Sequence, residues 1–298
     1  MTELSGVLSA LVTPFAADGG IDEPTLRAVV DRSIDGGVSG VVACGSTGEF
    51  AALSADERRR VVETVVDQTA GRVPVVAQTG GLTAAEAIAH SRHAERAGAS
   101  VLMLVTPFYE ALTMDETLRY LRTVAGAVDV PVMLYNLPAA TGVFLDADTV
   151  GALAREVGTI RWIKDTSADM TQVGRLIRHH GDVVSTIVGW DALALAALCD
   201  GAAGVMCGTA NAVPAELVAV ARAVAANDLA RARAAWERVY PLVDAMLSTN
   251  FIPAVKAAVT ARGLAVGDPR EPLSPLGGAD RARLEELVTA LPEPVPAG

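Results

Sequence analysis

The sequence predicts an α/β fold, a (β/α)8 TIM barrel with a small C-terminal helical domain. Three observations carry that prediction. Short β-rich runs alternate with helical runs eight times, at intervals of roughly 25–30 residues, as eight βα units require. A helix-start signal, a hydroxyl residue followed three positions later by Glu, recurs in three successive units at Ser54–Glu57, Thr83–Glu86 and Thr113–Glu116. Strand-edge phrases repeat too: Leu-Val-Thr-Pro-Phe stands at 11–15 and 104–108, and Val-Pro-Val at 73–75 and 130–132.

In chain order, Gly6 to Val12 reads as the first strand, and Asp22 to Asp35 as a helix with Pro24 in its first turn. Val38 to Ala43 is a strand closed by Cys44-Gly45-Ser46-Thr47-Gly48-Glu49, followed by a helix from Ser54 to about Thr69. Strands follow at Val73 to Ala77, Ser100 to Val105 and Pro131 to Tyr135; the first two lead into the helices opened by Thr83 and Thr113, the third into a helix from Asp146 to Val157. The strand Ile160 to Lys164 precedes a helix from Asp169 to His180. Val183 to Val188 precedes one from Asp191 to Leu198, and Ala203 to Cys207 is the last strand. A doubly wound open sheet would want a Gly-rich phosphate turn after its first strand, and Thr13-Pro14-Phe15 is not one. After Pro214 the pattern is helical only, at Ala215–Ala226, Asp228–Ser248, Ile252–Arg262 and Ala279–Ala290, with a Pro/Gly-rich linker from Gly267 to Gly278. The chain therefore divides into a barrel over 1–226 and a helical domain over 227–298 that packs on it.

Composition narrows the function classes. Apolar residues make up 51% and aromatics 4%, so the core must be mostly Ala, Val and Leu. A net charge of −11 argues against a nucleic-acid partner but leaves a small anionic substrate open. Cys44, Cys199 and Cys207 lie in apolar runs and read as reduced, buried thiols. No basic-then-apolar leader and no uninterrupted apolar run of ~18 residues is visible, so the expectation is a cytoplasmic chain without a membrane partner.

The chemistry points to one lysine. Of 24 basic residues only Lys164 and Lys256 are lysine, the rest arginine. Arginine does not lose its proton at working pH, whereas a lysine held among apolar neighbours can do so and attack a carbonyl. A strand-end charge reaching solvent, or a partner for Asp165, is the alternative these residues leave open. In a barrel, functional groups sit at the C-terminal ends of the strands. Those ends carry Thr13, Ser46-Thr47, Gln78-Thr79, Thr106 to Tyr109, Tyr135-Asn136, Lys164 to Thr166, Gly189 to Asp191 and Gly208 to Asn211, a ring rich in hydroxyls and poor in histidine. His90 and His93 share a helical face with Glu86 and read as a solvated surface; no metal and no cofactor is expected. A carboxylate suits the hydroxyls and backbone N–H groups of the Gly45–Gly48 turn.

Taken together, Gly45-Ser46-Thr47-Gly48-Glu49, Tyr135-Asn136-Leu137-Pro138, Lys164-Asp165-Thr166-Ser167 and Gly189-Trp190-Asp191 resemble, in order and spacing, the dihydrodipicolinate synthase/N-acetylneuraminate lyase family. The resemblance runs from Val7 to about Leu264. It implies a class I, Schiff-base-forming lyase, usually a homotetramer, acting on pyruvate or another 2-oxo acid. By the same resemblance, Lys164 forms the Schiff base and Tyr135 is the proton-transfer phenol. Ser46 and Thr47 hold the substrate carboxylate, Tyr109 completes the relay from a neighbouring subunit, and the Met206 carbonyl lines the pocket. Glu49 reads as an anchor and not as an acid catalyst, and Lys256 as structural or part of an interface, with no chemistry.

One departure bears on the substrate. The lysine-biosynthetic branch carries an arginine two residues after the motif proline, where this chain has Ala140. Thr166, Gly189 and Asp191 look more like the sugar-acid branches, where such groups meet substrate hydroxyls. The expectation is aldol cleavage, condensation or dehydration of a 2-oxo-3-deoxy sugar acid or related 2-oxo acid. The alternatives are 4-hydroxy-tetrahydrodipicolinate synthase and, from another class, a barrel that binds a small acid without turning it over. A phosphate-binding isomerase barrel fits less well, since no general-base glutamate stands at a strand end.

Overall fold

A computed structural model describes residues 3–291; the outermost residues of the two predicted domains, 1–2 and 292–298, lie outside the described residues. Eight parallel strands close into one barrel in chain order: β1 (Gly6–Ala10), β2 (Gly40–Ala43), β3 (Val75–Gln78), β4 (Val101–Val105), β5 (Val132–Asn136), β6 (Ile160–Asp165), β7 (Ser185–Val188) and β8 (Gly204–Cys207). The helices between them are α1 (Glu23–Asp35), α2 (Ala55–Thr69), α3 (Ala84–Ala97), α4 (Met114–Ala125), a single turn α5 (Pro138–Thr141), α6 (Ala147–Glu156), α7 (Met170–His180), α8 (Ala194–Asp200) and α9 (Pro214–Ala225). Then come α10 (Leu229–Leu247), α11 (Phe251–Ala261) and α12 (Gly278–Ala290).

Strand alternation sorts the core into two clusters. Leu8, Met103, Met133, Trp162, Ile187 and Met206 fill the ring interior, while Val41, Leu102, Leu134, Ile163 and Val205 face the helices. The helix starts follow local chemistry. Ser54 and Thr113 form complete capping boxes with Glu57 and Glu116. The Thr83 box is only half made: its side chain accepts from the Glu86 N–H, but the Glu86 carboxylate accepts from the Leu82 N–H instead of returning to Thr83.

The C-terminal helices are tied to the end of the ring where the strands finish. Helix α10 packs on α9 and on the 3-10 turn Asp191–Leu193 that follows β7, and α11 on the turn Thr209–Asn211 that follows β8. The predicted helix from Asp191 thus starts as a 3-10 turn, and the turn α5 lies in a stretch read as loop. No helix of the described residues is long and apolar enough to cross a membrane.

Candidate active site

Lys164 is the fifth residue of β6 and is 5% exposed. Its register partner on β5 is Tyr135, and its Nζ lies 4.1 Å from the centroid of that ring. Neither alternative left open by the sequence holds: the amine does not reach solvent, and Asp165 is engaged elsewhere. Being next in the strand, Asp165 turns to the opposite face. There it accepts from Asn136 Nδ2 (2.8 Å) and the Ser167 N–H (3.1 Å).

Room for the amine depends on the neighbouring strand. A Cβ on Gly189, just past β7, would stand 2.5 Å from Lys164 Cε and would collide with Thr166 Oγ1. Only the missing side chain lets the lysine and the threonine occupy that space. Thr166 Oγ1 is itself buried without a protein hydrogen-bond partner, so it is available to a ligand. Asp191 is buried and accepts from both the N–H (2.8 Å) and the hydroxyl (2.6 Å) of Thr209 through Oδ1. Desolvation raises its pKa, an effect opposed by Thr209 and by the charge of Lys164.

The turn after β2 brings in the hydroxyls. Cys44 (φ 56°) and Glu49 (φ 57°) both hold the left-handed conformation that side chains disfavour, one at each end of Gly45–Gly48. The turn sets Ser46 Oγ 3.3 Å from Tyr135 Oη. Thr47 is buried beside Gly208, where a Cβ would lie 3.1 Å from Thr47 Oγ1 and 2.6 Å from Phe251. Met206 lies on β8 in the same inner cluster as Tyr135.

Tyr109 is placed differently. It sits in the loop after β4, is 80% exposed, and hydrogen-bonds to none of these groups among the described residues. One chain therefore gathers Lys164, Tyr135, Ser46, Thr166 and Gly189, with Thr47, Met206 and Asp191 at their margins, and leaves Tyr109 outside.

The second lysine anchors the turn. Lys256 Nζ on α11 pairs with Glu49 Oε1 at 2.6 Å, donates to the Asp268 carbonyl (3.1 Å) and lies 4.2 Å from the Phe15 ring centroid. Burial lowers the Lys256 pKa and Glu49 opposes that. Glu49 Oε2 accepts from the Arg270 N–H (2.9 Å), and the Arg270 guanidinium pairs with Glu57, whose carboxyl is lowered to about 2 chiefly by that contact. Glu49 and Lys256 thus take the structural parts read from the sequence. Arg270 was not singled out there; the chain separation of 221 residues from Glu49 leaves no local signal. Residues Arg270–Leu273 wall a cleft of about 400 Å³ that Ser46 also lines.

Two sequence expectations need correction. Cys199 is exposed on α8, unlike Cys44 and Cys207, because it falls on the outer side of a surface helix. His90 is not a solvated surface group: it is 6% exposed, and burial together with nearby Arg58 lowers its pKa to about 4. His93, on the same helix, bonds to Glu63 (2.8 Å). Among the described residues, no group of three or more His, Cys, Asp and Glu is arranged to hold a metal ion.

Comparison with known proteins places the chain as a whole. The model of the dihydrodipicolinate synthetase family matches residues 3–291. A 4-hydroxy-tetrahydrodipicolinate synthase of Methanothrix thermoacetophila is 42% identical over 288 residues, covering 96% of each chain. The structure of dihydrodipicolinate synthase DapA-2 from Bacillus anthracis superposes with a TM-score of 0.94 at 29% identity, covering 98% of this chain and 100% of that one. YagE from E. coli K12, a prophage protein of the dihydrodipicolinic acid synthase family solved in complex with pyruvate, gives 0.92 at 31% identity, covering 96% and 97%.

Proposed function

Since the chain belongs to the dihydrodipicolinate synthetase family, a family of aldolase-type lyases, we propose that Lys164 forms a Schiff base with pyruvate or another 2-oxo acid and that the enzyme makes or breaks the bond at the adjacent carbon. The observation that carries this reading is the buried Lys164 amine, without a carboxylate partner among the described residues, over the ring of a phenol that reaches Ser46. The amine adds to the 2-oxo carbon, and loss of water gives a protonated imine. The imine withdraws electrons, so the adjacent carbon loses a proton and becomes an enamine nucleophile toward an aldehyde; cleavage is the reverse. Tyr135 moves protons as the carbinolamine forms and collapses, a contribution of about 10²–10⁴-fold. The Ser46–Thr47 turn takes the carboxylate, and Thr166 offers its unpartnered hydroxyl to the bound chain. No step calls for a cofactor or a metal. Tyr109 acts across an interface in a homotetramer, a part its exposure supports.

The sugar-acid expectation keeps Thr166 but weakens at Asp191, whose Oδ1 already serves Thr209. The family relatives named 4-hydroxy-tetrahydrodipicolinate synthase support a second reading, condensation of pyruvate with aspartate semialdehyde. Ala140 opposes it, because a second substrate carboxylate would lack its bidentate cation. Borohydride reduction with pyruvate tests the shared core: a mass adduct on Lys164, absent in Lys164→Arg, is expected. An unlabelled lysine would leave a binding barrel without this chemistry.

A further inference from the structure

We propose that Asn136 and Asp165 are positioning residues: their side-chain hydrogen bond sets the register of β6 on β5 that brings Lys164 to Tyr135. The inference rests on the Schiff-base reading and deepens it, since it concerns how the amine is delivered to the phenol. The need for such a device is visible in the ladder. Pairing between β5 and β6 runs from Val132–Ile160 to Met133–Trp162, so Arg161 is an extra residue, and the register below it does not dictate the register above. Above this bulge four rungs remain, and the last two are Tyr135–Lys164 and Asn136–Asp165. A slip of one residue there would turn Lys164 toward the helices and Asp165 into the ring.

The last rung carries a polar pair on the face of the sheet that Leu134 and Ile163 otherwise make apolar. Asn136 Nδ2 donates to Asp165 Oδ2 (2.8 Å), and the far ends of both side chains are committed too. Asn136 Oδ1 accepts from the Leu145 N–H (3.0 Å), and Asp165 Oδ1 accepts from the Ser167 N–H (3.1 Å) and hydroxyl. All these partners are neutral. Two apolar side chains would fill the space with less desolvation cost. What the amide and the carboxylate add is direction, because donor meets acceptor in one register only.

The backbones of the same two residues hold more of the site. The Asn136 carbonyl accepts from the Thr166 N–H (2.9 Å), and the Asp165 carbonyl from the Gly189 N–H (2.7 Å). Tyr135, Lys164, Thr166 and Gly189 are thus each joined directly to this rung. Its partners all come from one chain, and Gln172 of α7 closes over them by donating to the Leu145 carbonyl (2.9 Å). At 0% and 1% exposure, Asn136 and Asp165 leave no face for a neighbouring subunit to reach.

Exchanging the two groups tests the pair. Asn136→Asp sets two carboxylates face to face, and Asp165→Asn sets an amide N–H against either the Asn136 amide or the Ser167 N–H. The double variant Asn136→Asp/Asp165→Asn again has one donor facing one acceptor, with acceptors left for the Leu145 and Ser167 N–H groups. It loses only the long bond from Asn136 Nδ2 to the Leu145 carbonyl (3.4 Å), which Gln172 still serves. Each protein is mixed with pyruvate and quenched with borohydride at timed intervals, the Lys164 adduct is read by intact mass, and urea midpoints are taken in parallel. The maximal rate of adduct formation should fall about 10²-fold in Asn136→Asp and about tenfold in Asp165→Asn. The half-saturating pyruvate concentration should move less than about threefold, because the Ser46–Thr47 turn follows β2 and not this rung. The double variant should regain at least about tenfold over Asn136→Asp. Wild-type rates in both single variants, or a double variant no faster than either, overturn the inference and leave the Schiff-base reading standing. Should Asn136→Asp fail to fold, the double variant measured against Asp165→Asn decides in the same way. Absence of the adduct in the wild-type protein overturns that reading and this inference with it.

Discussion

The two lysines make a controlled comparison within one molecule. Both are buried, at 5% and 2% exposure, and both hold their Nζ over an aromatic ring, at 4.1 Å for Lys164 and 4.2 Å for Lys256. What separates them is the carboxylate. Lys256 has Glu49 at 2.6 Å, which opposes the lowering that burial imposes on its pKa, and the pair serves as a rivet. Lys164 has a glycine-shaped vacancy at its Cε, a phenol and an unpartnered hydroxyl instead. Burial alone does not tell the two apart; the Schiff-base reading of Lys164 rests on burial without an ion-paired carboxylate, beside groups able to handle protons.

The largest effect expected from that contrast is on turnover. Lys164→Arg should lower kcat by about 10⁴-fold and abolish the borohydride adduct, since a guanidinium forms no imine. Lys256→Arg should keep the adduct, as read by intact mass. An equal loss in both would erase the distinction.

Stability should reverse the ranking. Lys256→Met leaves Glu49 as a buried, unpaired charge, at a cost of about 3–5 kcal/mol in urea unfolding. Glu49→Gln combined with Lys256→Met should recover much of it, because the pair goes together. Next comes Gly189→Ala, whose methyl group must displace Lys164 Cε or Thr166. Activity should fall by about 10²-fold through misplaced amine and hydroxyl. The melting temperature should move far less, and a variant with wild-type kcat would show that the space is not needed.

His90 extends the comparison to a third buried base. Its folded pKa of about 4 lies below the unfolded value of 6.5, so the unfolded chain binds the proton more readily between those values. Stability is full above about pH 6.5 and is lost as pH falls toward 4, by up to about 3 kcal/mol. His90→Gln should flatten the pH dependence of urea midpoints in that window. An unchanged slope would assign the acid sensitivity to other groups.

Much of the fold was legible because it is written locally. Ser54 and Thr113 announce their helices within four residues, and eight alternations of period need no partner to be recognised. The inner ends of the site were legible for a similar reason: a rare lysine, a tyrosine and a hydroxyl pair each close a strand. The rest depends on which side of an element meets what. His90 and Cys199 lie on helices whose periodicity did not reveal that one is covered and the other bare. The need for Gly189 comes from Lys164 on the adjacent strand and Thr166 just past its end, and the outer wall at Arg270–Leu273 from a segment more than two hundred residues beyond the turn that it braces.

That long bracing has a bearing on how the molecule matures. Residues 6–207 carry all eight strands of the ring, yet the ammonium that pairs with Glu49 lies on residue 256. The turn bearing Ser46 and Thr47 gains its counter-charge only after residue 256 emerges and its outer brace only after residue 270. The strands of the ring are therefore all synthesised before the groups that brace its hydroxyl-bearing turn.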